Sequence, residues 1–375
     1  MKIIINTTNL FQGGGLQVAY SFLKESIKFK ENEYHVLLCA KLKNQLCIDN
    51  FPKNYFFYDF PNRPSLSRKG RKVIKRLQIL EKKINPDCVF SVFGPTYWTP
   101  NSPHLMGFAI AHFIYPHSDF HKQISWVERK KWTVLKKIKK YFFLKNADYY
   151  HVETNDAKVG LAKFLSVPAE KIFVVSNTYN STFDIPVTVK QAKLPLKKND
   201  EFRFVTVTGY YRHKNLEILN KVIPLLQEKK INVKFVLTLK DEDFKRVFNE
   251  DVQSSIINIG PIPITECPQL YNECDAVFLP TLLECFSANY PEAMKMGKPI
   301  LTSNLSFAKD ICKDAALYFN PLDENEVSNM IALFLRDKEL QNNLIEKGKI
   351  RLAAFPSASE RARKFIELCN LISKQ

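Results

Sequence analysis

Residues 279–300 of this 375-residue chain read LPTLLECFSANYPEAMKMGKPI. An apolar run ends at Pro280 and predicts a strand; a loop with Glu284 follows, and then a helix with Glu292. Gly297 and the proline two positions later end that helix before the next apolar run begins at Ile300. Strand, loop, helix and strand in this order are typical of an α/β sheet with parallel strands.

The same segment predicts a polar binding site. Glu284 and Glu292 flank the start of the helix, where the backbone amides of Ser287 and Ala288 would favour a phosphate. Carboxylates placed there can accept charge-assisted hydrogen bonds from sugar hydroxyls. Paired glutamates could instead be the acid and the nucleophile of a glycosidase. A helix start that can bind phosphate fits a nucleotide-sugar site better than a glycosidase. The two carboxylates alone do not decide between these functions.

Outside this segment, short apolar runs alternate with amphipathic stretches along the whole chain, a pattern that predicts two α/β domains. The predicted strands are Ile3–Asn6, Tyr34–Cys39, Tyr55–Asp59, Cys88–Phe93, Leu105–Ala111, Tyr149–Glu153, Ile172–Ser176, Phe204–Thr208, Lys234–Leu239, Ile256–Ile259, Ala276–Pro280 and Ile300–Ser303. The predicted helices include Leu16–Phe29, Asp156–Leu165, Leu216–Glu228, Glu324–Arg336 and Ser359–Ile372.

A linker separates the two predicted domains. Residues 181–200 contain Pro186, the polar run Val187–Ala192 and Pro195, and have little to bury. We therefore predict a first domain over residues 1–185 and a second over 200–355, each a doubly wound, Rossmann-like sheet, facing each other across a cleft. The last helix, in residues 356–375, is predicted to pack back on the first domain.

Two further loops follow predicted strands. Phe11-Gln12-Gly13-Gly14-Gly15 comes after the first strand, and consecutive glycines let a ligand approach the backbone at a helix start. The spacing differs from the dinucleotide fingerprint, and a tight turn explains it about equally well. Arg212 and Lys214 follow the first strand of the second half, where a diphosphate could be held. A solvated loop is the simpler alternative for that pair.

The charge of +17 is unevenly distributed. Residues 1–180 hold 28 Lys and Arg against 13 Asp and Glu, whereas residues 181–375 hold 27 against 25. This asymmetry indicates an anionic partner for the first half. Two segments, 68–77 and 129–144, mix cations with apolar side chains and are typical of an anionic membrane surface. Nucleic acid is the rival partner, but no nucleic-acid-binding motif accompanies them; an ordinary solvated helix face is the third possibility.

Several classes of protein are not indicated. No apolar run approaches the length of a membrane helix, and the start lacks the features of a signal peptide, so we expect a cytoplasmic protein. The eight cysteines form no Cys-x-x-Cys pair and none lies at zinc-ligand spacing from a histidine, so we expect reduced thiols and no metal site.

Taken together, these motifs resemble retaining glycosyltransferases of the GT-B fold, family 4 (glycosyl transferases group 1). Residues 284–292 resemble the Glu-x₇-Glu signature of that family, and residues 147–154, 170–177 and 314–321 resemble other family segments. The resemblance implies transfer of a sugar from a nucleotide-sugar donor to a glycan or a lipid-linked saccharide, with no cofactor or metal. Because members of that family commonly act in the assembly of cell-surface polysaccharide or lipopolysaccharide, the resemblance also implies such a pathway.

The resemblance also implies residue roles. Glu284 would contact sugar hydroxyls of the donor, and Glu292 its ribose, while Phe286, Ser287 and Ala288 belong to the donor loop. Arg212 and Lys214 would neutralise the diphosphate. Gly14 and Gly15 would approach the phosphate and the acceptor. His112 would lie near the reacting sugar, although a structural histidine is an equally good interpretation.

Three positions depart from the family pattern. Arg212 stands only two positions before Lys214, Ser287 replaces the usual glycine, and Phe113 replaces the aspartate that commonly follows the histidine.

Two other functions remain open. A nucleotide-sugar epimerase of the same fold would need no acceptor, and a non-catalytic scaffold would bind the sugar nucleotide without turnover.

Overall fold

The computed structural model describes residues 1–11, 13–187 and 192–374. Gln12 of the glycine-rich segment and residues 188–191 of the predicted linker lie outside the described residues. The chain divides into two compact units. The first contains Met1–His117, His121–Asn177 and the chain from Pro356 onward, and the second contains Ser118–Phe120 and Thr178–Phe355.

The first unit contains a seven-stranded parallel sheet in the order β3-β2-β1-β4-β5-β6-β7. Its strands are β1 (Lys2–Asn6), β2 (Glu33–Cys39), β3 (Tyr55–Phe60), β4 (Cys88–Ser91), β5 (His104–Gly107), β6 (Tyr149–Val152) and β7 (Ile172–Val174). The central strands β1 and β4 are buried on both faces, as expected for a parallel sheet covered by helices. The strand order reverses between these two strands.

Helices connect these strands and cover the sheet. In the first half of the chain they are α1 (Gly14–Ser26), α2 (Ala40–Lys43), α3 (Arg68–Ile84), α4 (Ala111–Ile114), α5 (Phe120–Gln123), α6 (Trp126–Asn146) and α7 (Asn155–Leu165). The long helices begin at side-chain caps, Ser67 for α3 and Ser125 for α6, which accept hydrogen bonds from backbone amides in the first turn.

The second unit repeats the arrangement with six parallel strands in the order β10-β9-β8-β11-β12-β13. The strands are β8 (Phe202–Thr206), β9 (Val233–Leu237), β10 (Ile256–Asn258), β11 (Ala276–Leu279), β12 (Ile300–Ser303) and β13 (Leu317–Phe319). The helices are α8 (Leu219–Glu228), α9 (Asp241–Val247), α10 (Glu250–Gln253), α11 (Cys267–Asn272), α12 (Asn289–Lys295), α13 (Ser306–Cys312), α14 (Glu324–Arg336) and α15 (Lys338–Leu352). Here the strand order reverses between β8 and β11.

The last helix, α16 (Ala358–Ile372), belongs to the first unit. Its apolar face joins the core between α1 and the sheet. The Phe365 ring lies 5.8 Å from the Phe22 ring and 4.8 Å from the Phe90 ring, measured between centroids. Burying this face removes large apolar side chains from water, which stabilises the unit.

The prediction of two α/β domains with parallel sheets is confirmed. The elements that were not predicted include β13 and α15. β13 has only three residues, of which one is buried, so its apolar signal is weak. α15 is a largely exposed helix with few buried residues, so its periodicity is faint. The predicted strands Cys88–Phe93 and Leu105–Ala111 were too long, because β4 ends at Ser91 and β5 at Gly107.

The predicted linker was partly wrong. Leu194 is buried, and the backbone amides of Lys193 and Leu194 donate hydrogen bonds to the carboxylate of Glu273. This end of the segment is therefore part of the second unit.

Among the described helices, none combines the length and the apolarity needed to cross a membrane. All eight cysteines are free thiols, and seven of them are buried.

Candidate functional site

The second sheet brings two loops together where its strand order reverses. One loop follows β8 and carries Lys214; the other follows β11 and carries Glu284. The amide of Leu282 donates to the His213 carbonyl at 2.8 Å, and the Asn289 side chain bonds both backbone groups of Val207. In open α/β sheets, ligands bind at the carboxyl ends of the strands at such a reversal.

Lys214 and Glu284 form a largely buried ion pair at this edge. The Lys214 Nζ lies 2.6 Å from Oε1 of Glu284, and the two side chains are only 10% and 17% exposed. Burial raises the pKa of Glu284, and the positive charge of Lys214 opposes that shift. The second oxygen, Oε2, is buried and has no hydrogen-bond partner among the described residues. Because an orphaned buried acceptor is costly, this oxygen is suited to accept a hydrogen bond from a ligand hydroxyl.

Arg212 begins the short 3₁₀ turn that ends at Lys214. Its side chain is exposed, whereas Lys214 is buried. Asn215 ends the turn with φ 56°, and its side-chain amide donates to the Pro321 carbonyl at 2.8 Å. Asparagine tolerates this left-handed conformation better than most residues do, so Asn215 fixes the backbone that positions Lys214. The roles of Asn215 and Asn289 could not be predicted from the sequence, because an isolated asparagine carries no pattern that reveals its partner.

Glu292 lies in α12 and is buried. It accepts a hydrogen bond from the Tyr271 hydroxyl at 2.9 Å. Burial raises the pKa of Glu292 to about 7, and the hydrogen bond from Tyr271 opposes that shift. This carboxyl is therefore only partly ionised near neutral pH. Tyr271 was missed, because nothing in the sequence links it to a glutamate 21 positions away.

The three residues predicted to complete the donor loop lie just before α12. Phe286 is buried, with its ring 6.2 Å from that of Phe355, and Ser287 is also buried. Ala288 precedes the first residue of α12. Phe286 therefore packs inside the second unit and holds the loop in place. Contact of these residues with a donor stays a prediction.

In the first unit, the glycine segment joins β1 to α1. Gly13 has φ 72°, a conformation that favours glycine. A Cβ on Gly15 would lie 3.3 Å from the Phe93 ring, whereas one on Gly14 would meet nothing within 4 Å. Gly15 thus permits close packing against the loop after β4, and the exposed Gly14 leaves its backbone accessible.

His112 is held in an aromatic stack on α4. Its ring lies 4.0 Å from the Trp132 ring at an interplanar angle of 16°, and 5.7 Å from the His121 ring. Burial lowers the pKa of His112 to about 4, with a smaller contribution from His121. The imidazole is therefore neutral at pH 7. A buried, neutral imidazole is compatible with both interpretations of His112, so its place near the reacting sugar stays a prediction.

Comparison with known families agrees with this geometry. Residues 189–351 match the model of the family described as glycosyl transferases group 1. The second unit matches the group 1 glycosyl transferases. The match spans the Lys214–Glu284 pair and Glu292, and it covers somewhat less than half of the chain. No curated protein matches the sequence.

Solved structures extend the likeness beyond the group 1 match to both units. Sucrose-phosphate synthase from Thermosynechococcus elongatus has a TM-score of 0.77 and 15% identity, over 99% of this chain and 98% of that one. Anabaena Alr3699/HepE in complex with UDP and glucose has a TM-score of 0.71 and 12% identity, over 99% of each chain. WaaG, a glycosyltransferase involved in lipopolysaccharide biosynthesis, has a TM-score of 0.71 and 12% identity, over 98% and 99%. The fold is the GT-B fold of glycosyltransferases.

Proposed function

We propose that this protein is a retaining glycosyltransferase that moves a sugar from a nucleoside-diphosphate-sugar donor to an acceptor hydroxyl. The observation that carries the proposal is the buried Lys214–Glu284 pair at the strand reversal of the second sheet. A cation and a carboxylate side by side match the two parts of such a donor, since the diphosphate is anionic and the sugar presents hydroxyl groups.

In the proposed reaction, the bond between the anomeric carbon and the diphosphate oxygen breaks as the acceptor oxygen bonds to the same face of that carbon. The acceptor proton passes to an oxygen of the departing diphosphate. Charge develops on this leaving group, and the largely buried Lys214 ammonium stabilises that charge, with the exposed Arg212 as a second cation of the same loop. Glu284 orients the sugar through its unpartnered Oε2. These groups supply the transition-state stabilisation without a metal ion.

We assign the donor to the second unit and the acceptor to the first. UDP-sugar donors are supported by Alr3699/HepE, whose structures hold UDP and glucose or UDP-glucose. A glycan or lipid-linked saccharide of a cell-surface polysaccharide or lipopolysaccharide pathway is supported by the resemblance to WaaG.

Nucleotide binding and turnover of the wild-type protein test this function. At a concentration about 100 times its dissociation constant, one of UDP, GDP, ADP or CMP should stabilise the fold by roughly 2.7 kcal/mol in a thermal-shift measurement. The corresponding nucleotide sugar should then be consumed faster when an acceptor saccharide is present. Conversion of the sugar without an acceptor would indicate the epimerase instead. Nucleotide binding without any turnover would indicate the scaffold.

We also propose that α6 of the first unit binds an anionic membrane surface. Only Phe143 and Asn146 of its 21 residues are buried. Side chains at spacings of three and four form one outward stripe of four apolar residues and two lysines: Trp126, Lys130, Val134, Lys137, Tyr141 and Leu144. The four apolar side chains in this stripe are 43–62% exposed. Such a face can insert its rings at the headgroup level while each lysine contributes about 1 kcal/mol near anionic lipids.

Co-sedimentation with vesicles tests this surface. We expect binding to phosphatidylglycerol vesicles at low salt and little binding to phosphatidylcholine vesicles. The double variant K130E/K137E should lower the apparent affinity at least about tenfold, because it removes two favourable charges and adds two repulsive ones. K245E/K349E, which changes two exposed lysines of the second unit, is the matched control. Equal loss of binding in both double variants would mean that only net charge matters and that α6 is not the surface.

A further inference from the structure

A cluster of rings and cations that the proposed reaction does not use lies near the strand reversal of the first sheet. Phe11 follows β1 and Tyr97 follows β4, the two strands at the reversal, and Arg63, from the loop after the edge strand β3, reaches the Phe11 ring. Because β1 and β4 flank the reversal in strand order, the carboxyl edge there is where a ligand of this unit would bind. The Asn9 side-chain amide donates to the Phe93 carbonyl and ties the loops after β1 and β4 together.

The cluster presents aromatic faces that are only partly covered. The Phe11 ring is 50% exposed, and the Arg63 guanidinium lies 4.9 Å from its centroid. The Tyr97 ring lies 4.7 Å from that of Phe142, on α6. Tyr97 has φ 57°, a strained conformation for a bulky residue. Backbone strain of this kind concentrates at ligand sites.

The cluster contains two cations, Arg63 and Lys139. Lys139, one turn before Phe142 on α6, is half-buried, and its pKa is lowered first by that burial and then by the positive charge of Arg63. Within the described part of the chain, neither Arg63 nor Lys139 forms an ion pair with a carboxylate. Arg63 is exposed and Lys139 is half-buried, and the positive charge of Arg63 disfavours the charged form of Lys139, so a bound anion would relieve that repulsion.

We infer that Arg63 and Lys139 bind an anionic group, a phosphate or a carboxylate, on the acceptor saccharide, whose sugar ring lies against Phe11 and Tyr97. Arginine suits either group because its planar guanidinium donates two parallel hydrogen bonds. This inference depends on the proposed function, because the bound saccharide is an acceptor only if the protein is a glycosyltransferase. It adds that the acceptor is an acidic or phosphorylated sugar rather than a neutral one.

Binding of small saccharides, measured without any donor, tests the site directly. The probes are glucose 6-phosphate, glucuronate and methyl glucoside, with ligand-detected NMR as the readout. We expect at least one anionic sugar to bind about tenfold or more tighter than methyl glucoside, since a hydrogen bond to a charged group contributes roughly a factor of ten. Preference for glucose 6-phosphate or for glucuronate identifies the anionic group. Inorganic phosphate should compete with glucose 6-phosphate.

Variants then assign the preference to the two cations. R63A and K139A should each remove most of the preference for the anionic sugar, and R63K should restore only part of it. K72A, at an exposed lysine on α3, is the matched control and should behave as wild type. UDP affinity should stay unchanged in R63A and K139A. Equal binding of neutral and anionic sugars, no binding of any probe, or loss of UDP affinity instead would overturn the inference.

The two proposals fail separately. If the protein neither binds nor consumes nucleotide sugars, the transferase function fails, yet the saccharide titrations still report on Arg63 and Lys139. If transfer proceeds equally well to neutral and anionic acceptors, the transferase function stands and the anionic site is wrong.

Discussion

Replacing Lys214 with alanine is expected to lower kcat/KM for the nucleotide-sugar donor by about 10²–10³-fold. Removing a single preorganised group that stabilises developing charge has an effect of this size in other enzymes. The wild-type ammonium lies 2.6 Å from Glu284 in a largely buried setting, where it is positioned before the reaction begins. The same variant should lose the stabilisation by nucleoside diphosphate in a thermal-shift measurement, because the point charge that holds the diphosphate is gone.

Controls separate loss of function from loss of fold. Without Lys214, the Glu284 carboxylate would be buried without a cation, so K214A should be less stable at pH 8 than wild type. The double variant K214A/E284Q carries no buried charge at this point and should regain stability while remaining inactive. K221A, at a 67% exposed lysine of the same unit, should leave both properties unchanged. Turnover by K214A within fivefold of wild type would show that this pair is not the donor site.

Replacing Phe365 with alanine is expected to destabilise the first unit by about 3–5 kcal/mol, the usual cost of removing a buried aromatic side chain. Phe365 is 2% exposed, and its ring lies 4.7–5.8 Å from the rings of Phe22, Phe90 and His151. The cavity would lie between α16 and the sheet, where these neighbours cannot close it without moving strand β4. Thermal or urea unfolding should show the first unit melting about 10 °C or more below its wild-type temperature.

A matched substitution on the same helix checks this expectation. Leu371 is 47% exposed, so L371A should change the unfolding free energy by well under 1 kcal/mol. The second unit has its own core around Phe204 and Phe235, so its response to UDP should persist in F365A at low temperature. Equal stability of F365A and wild type would mean that α16 is dispensable for the core of the first unit.

Much of the fold was predictable because its signals are local. A buried parallel strand must be apolar over several residues, and the helix after it must show a face of period 3.6, so most elements of both sheets could be identified in the sequence. The candidate residues Lys214 and Glu284 were found in the same way, as polar residues in loops directly after strands. β13 and α15 were missed because short edge strands and exposed helices bury too little to leave a clear pattern.

By itself, the sequence determined the two α/β units, the loops that carry polar residues and the excess of positive charge in residues 1–180. Only the tertiary structure decided which of these residues meet. It pairs Lys214 with a glutamate 70 positions later, gives Glu292 the hydroxyl of Tyr271 and sets the Arg63 guanidinium over the Phe11 ring. The reason is physical: these contacts depend on the order in which strands join a sheet, and that order follows from burying apolar surface across the whole unit rather than from any local pattern.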